Sequence, residues 1–97
     1  MDVINAIAKV RFNSARPQRV HLSKCPKYTC ELICLEPGQE FSAAGRCGYY
    51  VILGNGSIKG SKGSLPLSPG KFVACDEDEA HTIINSSEQR LMCLVIS

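Results

Sequence analysis

The residues of this chain that can do chemistry are few and mostly soft: six cysteines (Cys25, Cys30, Cys34, Cys47, Cys75, Cys93) and two histidines, His21 and His81. Thiolates and neutral imidazoles are ligands for zinc-class metals, and a thiol held as thiolate by a nearby imidazole is a nucleophile. Spacing narrows both options. Cys25, Cys30 and Cys34 are separated by four and then three residues, which are not the Cys-x-x-Cys arms of a structural zinc site. Six cysteines in a short chain suggest a disulfide framework only in an extracellular setting, which nothing in the sequence supports, so they read as thiols. His21 has no partner that the sequence identifies and is expected at a surface or edge. The acidic run Asp76 to Glu79 lacks the alternating oxygen donors of a calcium loop and reads as a solvated turn. The glycine-rich stretch Gly54 to Gly63 lacks phosphate-loop spacing and reads as a hairpin tip followed by a flexible connection.

The elements that must position these groups fit one domain, residues 1–97, with 1–16 as an N-terminal arm or edge segment. A hydrophobic content of 44% over 97 residues supplies a modest single core. No apolar run approaches the roughly 20 residues needed to cross a bilayer. Met1-Asp2-Val3 does not begin a secretory signal, so the default address is cytoplasmic. In that setting the sequons at Asn55 and Asn85 carry no meaning. The net charge of +2, from 11 basic and 9 acidic residues that are well mixed, gives no electrostatic argument for nucleic acid or an anionic membrane.

From Tyr28 onward, short apolar, aromatic and β-branched stretches alternate with Gly, Pro, Asn and Asp at intervals too short for helices. Strands are expected over 19–22, 28–35, 48–53, 57–59, 64–67, 71–75, 80–85 and 89–96. Asn55-Gly56 predicts a type I′ hairpin turn, because both central positions of that turn need positive φ. Residues 3–8 fit a helical face with Asp2 as N-cap, and 13–18 read as a loop. In the last strand neither face is polar, so it is expected to be buried on both sides, within a sandwich or at a protomer interface.

The segment Gly70-Lys-Phe-Val-Ala-Cys-Asp76-Glu-Asp78-Glu-Ala-His81-Thr-Ile-Ile-Asn85 resembles the second conserved motif of the cupin superfamily. Gly70, His81 and Asn85 match; Asp76 and Asp78 stand where the family has Pro and Gly. Leu35-Glu36-Pro37-Gly38 followed by Tyr50-Val51-Ile52-Leu53-Gly54-Asn55-Gly56 looks like the frame of the first cupin motif. Its metal-ligand positions do not match, since Ala43, Ala44, Gly45, Arg46 and Cys47 stand where the family carries two histidines and a glutamate. The resemblance runs from Pro17 to Ser97. It implies an all-β fold, a small antiparallel jelly-roll barrel, and a homodimer.

The resemblance also implies a site. His81 occupies a family ligand position, and Cys47, by its spacing to Gly54-Asn55-Gly56, takes the place of the glutamate and points into the barrel. Tyr49 shares the face of Cys47 and Val51, and Arg46 is expected at the mouth, so Cys47, Tyr49, His81 and Arg46 outline a ligand pocket. The leading expectation is a metal-independent small-ligand-binding or regulatory module without a cofactor, because the family's ligands are missing. The alternative is a metal-dependent enzyme of oxygenase or isomerase type, holding a divalent transition metal on His81 and Cys47 with a third donor from Cys93 or Cys75. Thiol redox chemistry at an exposed cysteine is a third option.

Overall fold

The computed structural model describes residues 1–97. A one-turn helix, α1 (Ala6–Lys9), precedes nine strands: β1 (Gln18–Cys25), β2 (Tyr28–Leu35), β3 (Glu40–Ala44), β4 (Cys47–Leu53), β5 (Gly56–Gly60), β6 (Gly63–Leu67), β7 (Phe72–Cys75), β8 (Ala80–Ile84) and β9 (Leu91–Ile96). All pairings are antiparallel. One sheet has the order β1-β2-β9-β4-β7 and the other β3-β8-β5-β6, so consecutive strands repeatedly change sheets. This is the all-β jelly-roll arrangement that the strand pattern and the resemblance led us to expect.

Side chains alternate between the two faces of a strand, so each sheet has an inner and an outer row. The inner rows meet in the main core: Ile33 and Leu35 from β2, Tyr49 and Val51 from β4, Leu91, Cys93 and Val95 from β9, and Cys75 from β7 pack against Ile58, Leu67 and Ile83 of the other sheet. The outer face of β2 and β9 is covered by the chain's own N-terminal segment. Ala6, Val10 and Phe12 lie on Leu32, Cys34 and Met92. Gln39 fixes that segment by donating from Nε2 to the Asn13 carbonyl at 2.6 Å, and the Arg90 guanidinium stacks 4.5 Å over Phe12. The barrel core thus covers the inward Leu91, Cys93 and Val95 of β9, while on its outward face Met92 is buried, Leu94 half-buried and Ile96 exposed.

Several local expectations are corrected. Gly56 does not have positive φ and no non-glycine residue does, so Asn55-Gly56 is not a type I′ turn. Gly54, at φ 87, turns the chain from β4 in one sheet to β5 in the other. A side chain at Gly54 would collide with the Arg90 carbonyl, which crosses directly behind it. The hairpin lies one strand later, where β5 and β6 turn through Ser61-Lys62 with Gly63 at φ 123. The glycine-rich stretch is thus ordered strand and turn rather than a flexible connection. The N-terminal helix is capped by Asn5, whose Oδ1 accepts from the Ala8 amide at 3.3 Å, and not by Asp2. Strand β3 escaped the sequence pattern because Glu-Phe-Ser-Ala-Ala offers one large apolar side chain.

Candidate functional site

Strand period and pairing register together build the site. On β4 the period of two sends Cys47, Tyr49 and Val51 inward. Cys75 is the cross-strand partner of Cys47 on β7, so the two thiols enter the barrel side by side. His81 comes from the opposite sheet, on β8, whose inner row also carries Ile83. Asp76–Glu79 is a turn, exposed over Asp76 to Asp78 as the sequence led us to expect, and it carries the chain from Cys75 to His81. It also has a role the sequence did not show: the Glu79 carbonyl reaches back to the His81 ring.

The ligand atoms of Cys47, Cys75 and His81 all lie within 4.8 Å of one another. Cys47 Sγ is 3.6 Å from His81 Nε2, and Tyr49 Oη is 2.6 Å from the same nitrogen. His81 Nδ1 lies 3.2 Å from the Glu79 carbonyl. A carbonyl only accepts, so Nδ1 carries the ring proton, and Nε2 presents its lone pair to the Tyr49 hydroxyl, which donates to it. Fixing the tautomer through the distal nitrogen is how metal-binding histidines are usually held. The rings of Tyr49 and His81 meet edge to face at 5.2 Å. Tyr49 is 1% exposed, His81 4% and Cys75 5%, so the cluster is internal.

Burial sets the protonation of these groups. Desolvation pushes the Cys75 thiol up to about 11, with Cys47 beside it acting in the same direction, and raises the Tyr49 phenol further still from its ordinary value. Elsewhere in the core burial raises Cys93 to about 12 and lifts Cys34. Those shifts run against thiolate nucleophilicity at these three cysteines.

The expected ligand pocket is divided. Cys47, Tyr49 and Arg46 line a cavity of about 160 Å³ together with Arg19 and Phe41. His81 and Cys75 form the floor of a different, larger cleft of about 300 Å³ walled by Ile58, Leu65, Val73, Lys62 and Glu79. The cluster is the partition between the two. Arg46 is exposed and approaches Glu77 at 3.8 Å.

Cys93 does not join the cluster. It pairs with Val51, two inward positions beyond Cys47, and a step of two residues along a strand is about 7 Å. His21 is exposed on the edge strand β1, as expected. All six cysteines are free. Asn85, the matching residue at the end of the second motif, is fully buried. Its Nδ2 donates to the Leu35 and Gln89 carbonyls at 3.1 and 2.7 Å, so it closes a loop and does not reach the site.

No helix of the chain is long and apolar enough to cross a membrane. No family model and no curated protein sequence matches the chain. Solved structures do. A Klebsiella pneumoniae protein with a double-stranded β-helix domain superposes with a TM-score of 0.90, at 19% identity, over 99% of this chain and 88% of that one. A cupin superfamily protein from Desulfitobacterium hafniense gives 0.80 at 15% identity over 91% and 82%. A predicted oxalate decarboxylase from Thermotoga maritima gives 0.75 at 21% identity over 90% and 96%. With the strand order, the Gly70, His81 and Asn85 positions and these superpositions in place, the chain has the cupin fold.

Proposed function

We propose that this cupin-fold chain binds one zinc-class transition metal inside its barrel through Cys47, Cys75 and His81. The observation that carries this reading is the third donor. Cys47 and His81 alone make an incomplete site, and the β4–β7 register adds the Cys75 thiol within 4.8 Å of both. The spacing suits a tetrahedral ion: a sulfur at about 2.3 Å and a nitrogen at about 2.0 Å from zinc lie about 3.5 Å apart, against 3.6 Å between Cys47 Sγ and His81 Nε2. Two thiolates and an imidazole select zinc or another soft or borderline ion over magnesium or calcium. Of the family's own histidine and glutamate set only the His81 position is kept, since the first-motif positions hold Ala43 to Cys47. The two thiols are this chain's own addition to it. The cleft of about 300 Å³ that ends on Cys75 and His81 offers an entry path.

Elemental analysis of protein purified without chelator or nickel resin tests the reading. About one zinc-class ion per chain is expected in the parent, and its loss in His81→Ala and in Cys75→Ser. Parent protein that is folded, metal-free and unable to take up zinc would overturn it.

A second reading has its own support. Every buried side-chain polar atom already has a hydrogen-bond partner, and Tyr49, His81 and the Glu79 carbonyl satisfy one another without a metal. A metal-independent module that takes a small organic ligand in the larger cleft is consistent with that closure. Folded, metal-free parent protein would favour it.

A further inference from the structure

We infer that the Tyr49 hydroxyl is the fourth ligand of the Cys47, Cys75 and His81 centre, closing it into a four-donor site with no position left for substrate. This rests on the metal-binding reading above and adds an outcome to it, since a three-donor site with an open position is a catalytic arrangement and a four-donor site a structural or regulatory one.

The His81 ring has one lone pair to offer. Nε2 is the only ring nitrogen free to bind a metal, because Nδ1 is committed to the Glu79 carbonyl at 3.2 Å. That same lone pair now accepts the Tyr49 hydroxyl at 2.6 Å. An ion placed on Nε2 therefore removes the only hydrogen-bond acceptor the phenol has in the structure apart from the cysteine sulfurs that would bind the same ion. Tyr49 is 1% exposed, and a buried hydroxyl left without a hydrogen-bond partner is costly. Ligation resolves this. The oxygen is already next to the ion's position, and oxygen and nitrogen on a tetrahedral centre lie about 3.3 Å apart, so the phenol retreats by well under an ångström.

The balance is complete without any co-reactant. The divalent ion displaces one proton from each of Cys47, Cys75 and Tyr49, forming two metal–sulfur bonds and one metal–oxygen bond. His81 contributes its neutral lone pair, and three protons pass to solvent. The centre then carries one net negative charge, and the cavity on the Tyr49 side supplies counter-charge. Arg19 and Arg46 line it, Arg19 already paired with Glu31 at 2.7 Å and Arg46 held only by the 3.8 Å approach to Glu77.

The chain has three tyrosines and no tryptophan, so the long-wavelength ultraviolet band of an ionised tyrosine, which zinc–thiolate absorption does not reach, is readable. Zinc sulfate titrated at neutral pH into the full-length metal-free protein should produce that spectrum and reach its full amplitude at one equivalent. Tyr50→Phe should keep the signal. Tyr49→Phe should lose it while still binding zinc, with affinity lowered at least tenfold. Stoichiometric zinc binding with no tyrosine ionisation in the parent would overturn the fourth-ligand assignment and leave the three-donor site standing. Failure of the folded parent to bind zinc at all would overturn both. The parent spectrum alone decides, so the conclusion does not depend on the folding of Tyr49→Phe.

Discussion

At the residue scale, the buried thiols make stability depend on alkaline pH with a definite sign. Cys93 keeps its proton in the folded state up to about 12, against 9.0 for an ordinary thiol. Between those values the unfolded chain has lost the proton and the native chain still binds it. Stability from this group is therefore full below 9 and drains away as pH rises toward 12, at about 1.4 kcal/mol per pH step once the unfolded thiol is ionised. Cys34 and Cys75 are raised as well and act in the same direction. Under reducing conditions, the urea midpoint of the parent should fall steeply across that window. Cys93→Ala should start about 1 kcal/mol less stable at neutral pH and fall less steeply; an identical slope would show that Cys93 does not control it. The same scale shows how far the sequence could be read. His81, Cys47 and Tyr49 were legible because a motif position and a strand period of two place them. Cys75 was legible only as one of two options, because its membership depends on β7 lying in register with β4, and no local pattern records which distant strand pairs with which.

At the element scale, the glycine at the β4 to β5 crossing separates two costs that usually come together. Gly54 and Gly70 have almost the same dihedral, φ 87 and φ 89. Gly70 has open space where a side chain would go, while Gly54 is backed by the Arg90 carbonyl. Gly70→Ala should cost only the left-handed penalty of about 1–2 kcal/mol. Gly54→Ala must in addition push backbone off backbone and should cost at least about 2 kcal/mol more by thermal or urea unfolding. Equal losses at the two positions would show that the close approach is unimportant. Sequence placed the turn residues well, because Gly, Pro and Asn mark breaks for conformational reasons. It misassigned the Asn55-Gly56 turn for a physical reason too: proximity, and not only φ, can demand a glycine, and at position 56 proximity alone does. Gly56 keeps ordinary φ and is needed because the Ile84 carbonyl and the Leu91 side chain lie where its β-carbon would be. The missing strand β3 is stabilised by its partner, pairing Ala43 with His81 and Phe41 with Ile83, rather than by its own composition.

At the scale of the whole molecule, one part of the larger sheet's outer surface remains uncovered. Register aligns Phe72, Tyr50 and Leu94 in one outward row and Ala74, Gly48 and Ile96 in the next, with no charged side chain in either. Phe72 is 61% exposed, Ile96 46% and Tyr50 43%. The Phe72 ring already leans over Gly48, 2.6 Å from where a β-carbon would stand. We propose that a second copy of the chain covers this face, in keeping with the homodimer that the resemblance implies, because an apolar face without charges meets its own copy across a two-fold axis without like-charge repulsion. Light scattering should give twice the chain mass for the parent and the chain mass for Phe72→Lys; a monomeric parent at micromolar concentration would overturn the expectation. The sequence pointed to an interface through β9, whose two apolar faces it displayed, but the N-terminal segment covers most of the outward one and moves the exposed patch toward β4 and β7.

That covering segment makes the protein its own two-channel clock. Cys34 lies under Ala6, Val10 and Phe12, and Cys93 lies in the barrel core, each almost wholly shielded. Lifting the arm uncovers the first thiol and leaves the second sealed; only opening of the barrel reaches Cys93. The labelling rates of the two, followed together by mass spectrometry, therefore time the detachment of the arm separately from the unfolding of the domain. A fusion partner attached ahead of Met1 that drags on the arm would announce itself as faster modification of Cys34 alone.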